Sequence, residues 1–148
     1  MRRLLVDTNV VLDVLFDRQP HAATSVGIWA SIEAGRWEGF LAAHAITTIH
    51  YLVQKELGPR KAKQLIVLVL RVFRVAAVDG AVIEQALQLP IADFEDAVTA
   101  AAALVSECEF VVTRDAKGFR GSPVRALAPE GALPILGLEY STLAITRV

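Results

Sequence analysis

With 148 residues and a single cysteine, Cys108, the chain has length enough for one core but no internal disulfide and no multi-thiolate metal site. A net charge of −1 and a pI near 6.3 exclude a generally basic nucleic-acid coat and leave only local basic patches. The hydrophobic fraction, 54%, and the mean hydropathy, +0.46, are high. Yet Leu65 to Leu70 is broken by Arg71 and Ala97 to Val105 contains Thr99; neither approaches the ~20 apolar residues that span a bilayer. Met1-Arg2-Arg3 runs quickly into Asp7, so neither a signal peptide nor a membrane segment is expected, and the lone cysteine suits a reducing cytoplasm.

In chain order, Leu4 to Val6 reads as a buried strand that ends on Asp7, with Thr8 and Asn9 in the following turn. Val10 to Phe16 is helical in pattern, Asp17-Arg18-Gln19-Pro20 is a break, and Pro20 suits the start of a helix reaching about Ala34. Gly35 stops it, and Gly39 to Ala42 is a second strand. A helix over His44 to Leu57 and a third long helix beyond Gly58-Pro59 are predicted to pack as an antiparallel pair. Val75 to Val78 is a third strand, Asp79 caps a helix through Leu87, and Pro90 ends that element. Asp93-Phe94-Glu95-Asp96 opens an alanine-rich helix through Val105. Phe110 to Val112 is a fourth strand closing on Thr113-Arg114-Asp115, and Val124 to Leu127 a fifth. The pattern leaves the tail after Pro129 unplaced. Alternating short strands and helices make the chain α/β, and with no repeat or linker it reads as a single domain over residues 1–148.

Three acidic corners recur at strand ends and a helix start: Asp7, Asp93 with Asp96, and Asp115. Open α/β sheets place ligands at the carboxyl ends of their strands, where these loops can meet. Carboxylates crowded without a basic partner favour a bridging cation, and hard oxygen donors point to Mg²⁺ or Mn²⁺ rather than zinc. Each acid also has a plainer reading. Asp7 and Asp93 are both fit to be helix N-caps, and Asp93 stands either as a cap or as a weaker ligand. Glu95 is expected to point away from the face shared by Asp93 and Asp96, Asp13 and Asp17 to lie on the surface, and the histidines to be structural or superficial.

The stretches LLVDTNVVLDVL, DFEDAVTAAAAL and FVVTRDAKGF, in that order and spacing, resemble the PIN-domain family, the metal-dependent ribonuclease fold used by VapC-type toxins. The resemblance covers Leu4 to Leu127, and SPVRALAPEGAL is similar to the family's closing strand and helix. It implies a three-layer fold with about five parallel strands in the order 3-2-1-4-5 and an acidic Mg²⁺ pocket at the carboxyl rim. The family's first, third and fourth acids fall on Asp7, Asp96 and Asp115, and Thr8 and Asn9 match the polar residues after the first. The second acid is missing: in AAHAITTIHYLVQK its place is held by Thr48, as in a subgroup with the DFEDA wording. Asp93, one turn from Asp96, is placed to compensate.

The expected reaction is hydrolysis of an RNA phosphodiester with Mg²⁺ or Mn²⁺ held by Asp7, Asp96 and Asp115, supported by Thr8, Asn9 and Thr113. Arg114, Lys117 and Arg120 around Asp115 are the candidate RNA contacts; Arg60, Lys61 and Lys63 read as a solvated helix face. A toxin of this type implies an antitoxin partner and a homodimer, with the helix pair from His44 to Val75 as the docking surface. Two rivals stand beside this reading. A dehalogenase-type phosphatase needs a second Asp at position 9, which is Asn9 here. A degenerate PIN domain that only binds RNA or protein is suggested by Thr48.

Overall fold

The computed structural model describes residues 1–137. Short apolar runs form β1 (Arg3–Val6), β2 (Glu38–Ala42), β3 (Arg74–Ala76), β4 (Phe110–Val112) and β5 (Arg125–Leu127). They pair in parallel as one sheet in the order β3-β2-β1-β4-β5. The connections are α1 (Thr8–Leu15), α2 (Ala22–Glu33), α3 (Ala43–Leu57), α4 (Pro59–Val72), α5 (Gly80–Leu87), α6 (Phe94–Val105) and a 3-10 turn (Ala116–Phe119), with α7 (Pro129–Ile135) after β5. The expected strand order and three-layer α/β architecture are those observed. Element boundaries move by a residue or two. The third strand is Arg74–Ala76 rather than Val75 to Val78, and Pro20 lies in the turn before α2 rather than at its first residue. Part of the unplaced tail is α7; the rest lies outside the described residues.

The alternation of a strand sends neighbouring side chains to opposite faces. Leu4 and Val6 pack with α1 to α4 and α7, while Leu5 packs on the other face with α5 and α6. On that second face Ala100 to Ala103 are fully buried, so small side chains let α6 lie close to the sheet. Cys108 is buried there too, and burial pushes its thiol up to about 12, which makes it an inert core residue.

Gly58, at φ +87, makes a one-residue junction between α3 and α4, a left-handed conformation that disfavours a side chain. The turn sends α4 back along α3 and the two helices pack together. Their outer faces expose Tyr51, Leu57, Val67, Leu68 and Leu70. A shallow groove of about 400 Å³ on α4 runs between Val67 and Leu68 and the basic Arg60, Lys63 and Arg71. Among the described residues no helix is long and apolar enough to cross a membrane.

Parallel strands bring every carboxyl end to one rim. Val6 is paired with Val112, so Asp7 and Thr113 leave the sheet side by side. Backbone bonds extend the ladder by one step, from Asp7 to Val112 (2.9 Å) and from Thr113 to Leu127 (2.9 Å). The hydrogen-bonded ladder therefore reaches the rim residues Asp7 and Thr113 themselves.

Candidate active site

Asp7 is the N-cap of α1, its Oδ1 accepting from the Thr8 amide at 2.8 Å. The cap uses one oxygen only. Oδ2 accepts from the Thr113 hydroxyl at 2.8 Å and, more weakly, from Asn9 Nδ2 at 3.4 Å. Thr113 is wholly buried, and the same hydroxyl accepts the Asp115 amide at 3.1 Å. Asn9 Oδ1 accepts the Arg114 amide at 3.2 Å. Thr113 and Asn9 thus tie the end of β1 to the turn after β4, and Thr113 fixes Asp7 relative to Asp115.

Asp93 caps α6, its Oδ1 accepting the Asp96 amide at 3.0 Å. Asp96 itself makes no cap and faces a cleft of about 230 Å³ lined by Asp7, Thr8, Asn9, Leu12, Arg18, Glu95, Asp96 and Thr99. Asp115 caps the 3-10 turn through the Gly118 amide (3.3 Å). Gly118 sits against two acids. A Cβ there would stand 2.7 Å from Asp115 Oδ2 and 3.2 Å from Asp96 Oδ2, so these two carboxylates approach a common point.

The charges repel. Burial, then Asp7, Asp93, Asp115 and Glu95, push the Asp96 carboxyl up to about 6. Burial also raises Asp7, against the opposing hydrogen bonds from Thr113 and Thr8. Among the described residues no three Asp, Glu, His or Cys side chains converge into a preformed metal cage. Mg²⁺, however, commonly keeps several waters and takes only one or two carboxylates. Hard, crowded oxygen donors with raised proton affinity fit such an ion.

Two expectations about single residues change, those for Glu95 and Asp13. Glu95, expected to face away, lines the cleft beside Asp7 and Asp96. Thr99 lies one turn beyond both Glu95 and Asp96, so the three share one side of α6, and it is this side that lines the cleft. Asp13, expected at the surface, is fully buried and holds Arg114 with both oxygens, Nε to Oδ2 at 2.6 Å and Nη2 to Oδ1 at 3.2 Å. The Arg114 guanidinium is therefore paired with Asp13, its side chain still 32% exposed, while Lys117 and Arg120 are exposed beside Asp115. His44 is structural, but at the site: its Nε2 is 3.3 Å from the hydroxyl of the cleft residue Thr99. Its Nδ1 is buried without a hydrogen-bond partner. Asp17 is exposed, as expected.

The PIN domain family model matches residues 3–117, most of the chain and all of the acids described. The chain belongs to the PIN-domain family. No curated protein is significantly similar to it in sequence. Solved structures share its fold. FitAcB from Neisseria gonorrhoeae superposes with a TM-score of 0.67 at 23% identity, covering 85% of this chain and 97% of that one. VapBC2 from Rickettsia felis, bound to a DNA fragment from its promoter, gives 0.68 at 13% identity over 85% and 98%. VapC20 from Mycobacterium tuberculosis, a toxin that cleaves the sarcin-ricin loop, gives 0.59 at 20% identity over 73% and 86%. In this PIN domain Thr48 lies on α3, its hydroxyl turned back on the His44 carbonyl (3.4 Å), so α3 places no acid there. Glu95 is the acid that lines the cleft in addition to the expected ones. Its signal in the sequence was only its place between Asp93 and Asp96.

Proposed function

We propose that this PIN domain is a Mg²⁺- or Mn²⁺-dependent endoribonuclease, the toxin of a toxin–antitoxin pair. The observation that supports it most is the meeting of Asp7 and Asp96 in one cleft, with Asp115 close by Asp96, at the rim where family and fold both expect it. Asp7 and Asp96, with Asp115, are the residues that would hold the ion; Asp93, with one oxygen used as a cap, is a weaker outer ligand. The bound ion supplies a water of lowered pKa and charge neutralisation at the scissile phosphate. Thr113, Asn9 and the Thr8 amide keep the Asp7 carboxylate in one orientation, so little reorganisation is needed when substrate binds. Lys117 and Arg120 lie where a flanking phosphate can be met. Thr48 in place of an acid leaves the charge short on the α3 side, and slow turnover is expected.

One solved structure with this fold is a toxin–antitoxin complex from Klebsiella pneumoniae. By analogy the exposed apolar faces of α3 and α4 are the surface for an antitoxin or a second copy. The reading is tested by incubating the protein with single-stranded RNA. Cleavage in Mg²⁺ or Mn²⁺ that stops in EDTA is expected; cleavage that survives EDTA contradicts it.

Gly118 separates fold from function in the same assay. In Gly118→Ala the new Cβ meets the ends of flexible carboxylates and not backbone, so the clash is relieved by rotating Asp115. An off-rotamer side chain costs about 1 kcal/mol, but the displaced acid no longer shares the site. The melting temperature is expected to change by only a few degrees, while cleavage falls about tenfold or more.

A further inference from the structure

We propose that Arg18 grips a phosphate of the RNA backbone in the acidic cleft, held ready for it by Asp13 and Phe16; the inference rests on the ribonuclease reading. A cleft lined by Asp7, Glu95 and Asp96 repels a polyanion. Among the described residues lining it, Arg18 is the one cation. Three restraints place it. The end of α1 closes with the Asp17 amide on the Val14 carbonyl (3.3 Å) and the Arg18 amide on the Asp13 carbonyl (3.0 Å). Asp17 takes the left-handed conformation, φ +48, that this helix-ending motif requires, and Asp tolerates it better than most residues. The backbone of Arg18 is thereby pinned to the C-terminal end of α1, the helix that Asp7 caps at its start.

The side chain is pre-oriented on two sides. Its guanidinium carbon lies 5.2 Å from the Phe16 ring centroid, within cation–π range. Nη1 is 3.9 Å from Asp13 Oδ1. Asp13 already gives both oxygens to Arg114 at shorter range, so its pull on Arg18 orients the group without saturating it. The Arg18 side chain stays 41% exposed, and a guanidinium carries five donors, enough for a bidentate phosphate contact. Arg114 is 32% exposed, but its donors are bound to Asp13 at 2.6 and 3.2 Å, where Arg18 stands 3.9 Å off. Arg18 is thus the phosphate-contacting residue, and Asp13 and Phe16 are positioning residues. Because Arg18 is a loop side chain, its truncation leaves the core intact.

The test is binding of a fluorescent single-stranded RNA oligonucleotide in EDTA, where no cleavage occurs, from about 50 to about 200 mM salt. Arg18→Ala is expected to weaken binding about tenfold and to shallow the slope of log K against log salt by about 0.7, the value of one phosphate contact on a single strand. Arg18→Lys should restore the slope but only part of the affinity, since the planar fork is lost. Phe16→Leu should lower the affinity with the slope unchanged, because it keeps the charge and loosens its placement. Wild-type binding with affinity and slope unchanged in Arg18→Ala overturns the inference alone. A lower melting temperature with an unchanged slope also overturns it, and makes Arg18 only a counter-ion of Asp13. No RNA binding by the wild type, with or without Mg²⁺, overturns the ribonuclease reading and this inference together.

Discussion

Asp96→Asn is expected to make the metal-free protein more stable at neutral pH and to blunt its response to Mg²⁺. The Asp96 carboxyl stands at about 6 in the folded chain, above its ordinary 3.8, because burial and four neighbouring carboxylates disfavour its charge. The folded state therefore keeps this proton to higher pH than the unfolded chain does. The stability it contributes is complete below about pH 4 and is lost as pH rises through about 6. Asparagine removes the charge and keeps the shape, so the gain should be absent in acid and full above that window. Asp96 is partly open to solvent, and screening reduces the gain to about 1 kcal/mol, or about 3 °C for a chain of this size. The N-terminus of α6 favours a negative charge by about 0.3–1 kcal/mol and works against the gain without reversing it. The cap is not at stake, since Asp93 supplies it. Mg²⁺ binds the folded site and not the unfolded chain, so at a hundredfold excess over Kd it adds about 2.7 kcal/mol to the wild type. The variant should gain much less. A destabilised variant with a full Mg²⁺ response would remove Asp96 from the ligand set.

Asp13→Ala is expected to be the most destabilising single change at the site. Its carboxylate is wholly buried and bonds the Arg114 fork at 2.6 and 3.2 Å, with Arg18 beyond. Breaking a buried pair from one side strands the remaining charge, which costs about 3–5 kcal/mol when that charge cannot reach water. Here both arginines can turn partly outward, so about 2–4 kcal/mol is expected. The urea midpoint should fall with its slope unchanged. A double-mutant cycle with Arg114→Met should return part of the loss, since the second change removes the stranded charge. Additive losses would mean that the pair does not act as a unit.

Much of the fold was legible because buried parallel strands are written as short apolar runs: Leu4 to Val6, Gly39 to Ala42 and Phe110 to Val112 lie within, or coincide with, observed strands. Caps were legible for a similar reason. Asp79 and Asp93 each precede an apolar helix, and both side chains accept amides three residues on. The strand order came from the family resemblance, since nothing in a strand's composition tells which neighbour it pairs with. Asp13 was misread because its partner, Arg114, is 101 residues away, and a helical acid with no local partner looks superficial. Glu95 was misread because Asp93 and Asp96 pointed to the wrong side of α6; the side that lines the cleft carries Glu95, Asp96 and Thr99. Arg18 was passed over as part of a break. Its place depends on Asp17 adopting a left-handed turn that glycine announces at Gly35 but aspartate does not.

Cleavage of single-stranded RNA by the wild type and by Asp7→Asn, in Mg²⁺ and in EDTA, tests the acidic rim most directly. Asparagine keeps an oxygen to accept from Thr8 or Thr113, so the variant should fold, as its circular dichroism can verify. The acidic rim predicts Mg²⁺-dependent cleavage by the wild type and a loss of about a hundredfold or more in the variant. Wild-type rates in a folded Asp7→Asn, or rates indifferent to EDTA, would contradict it.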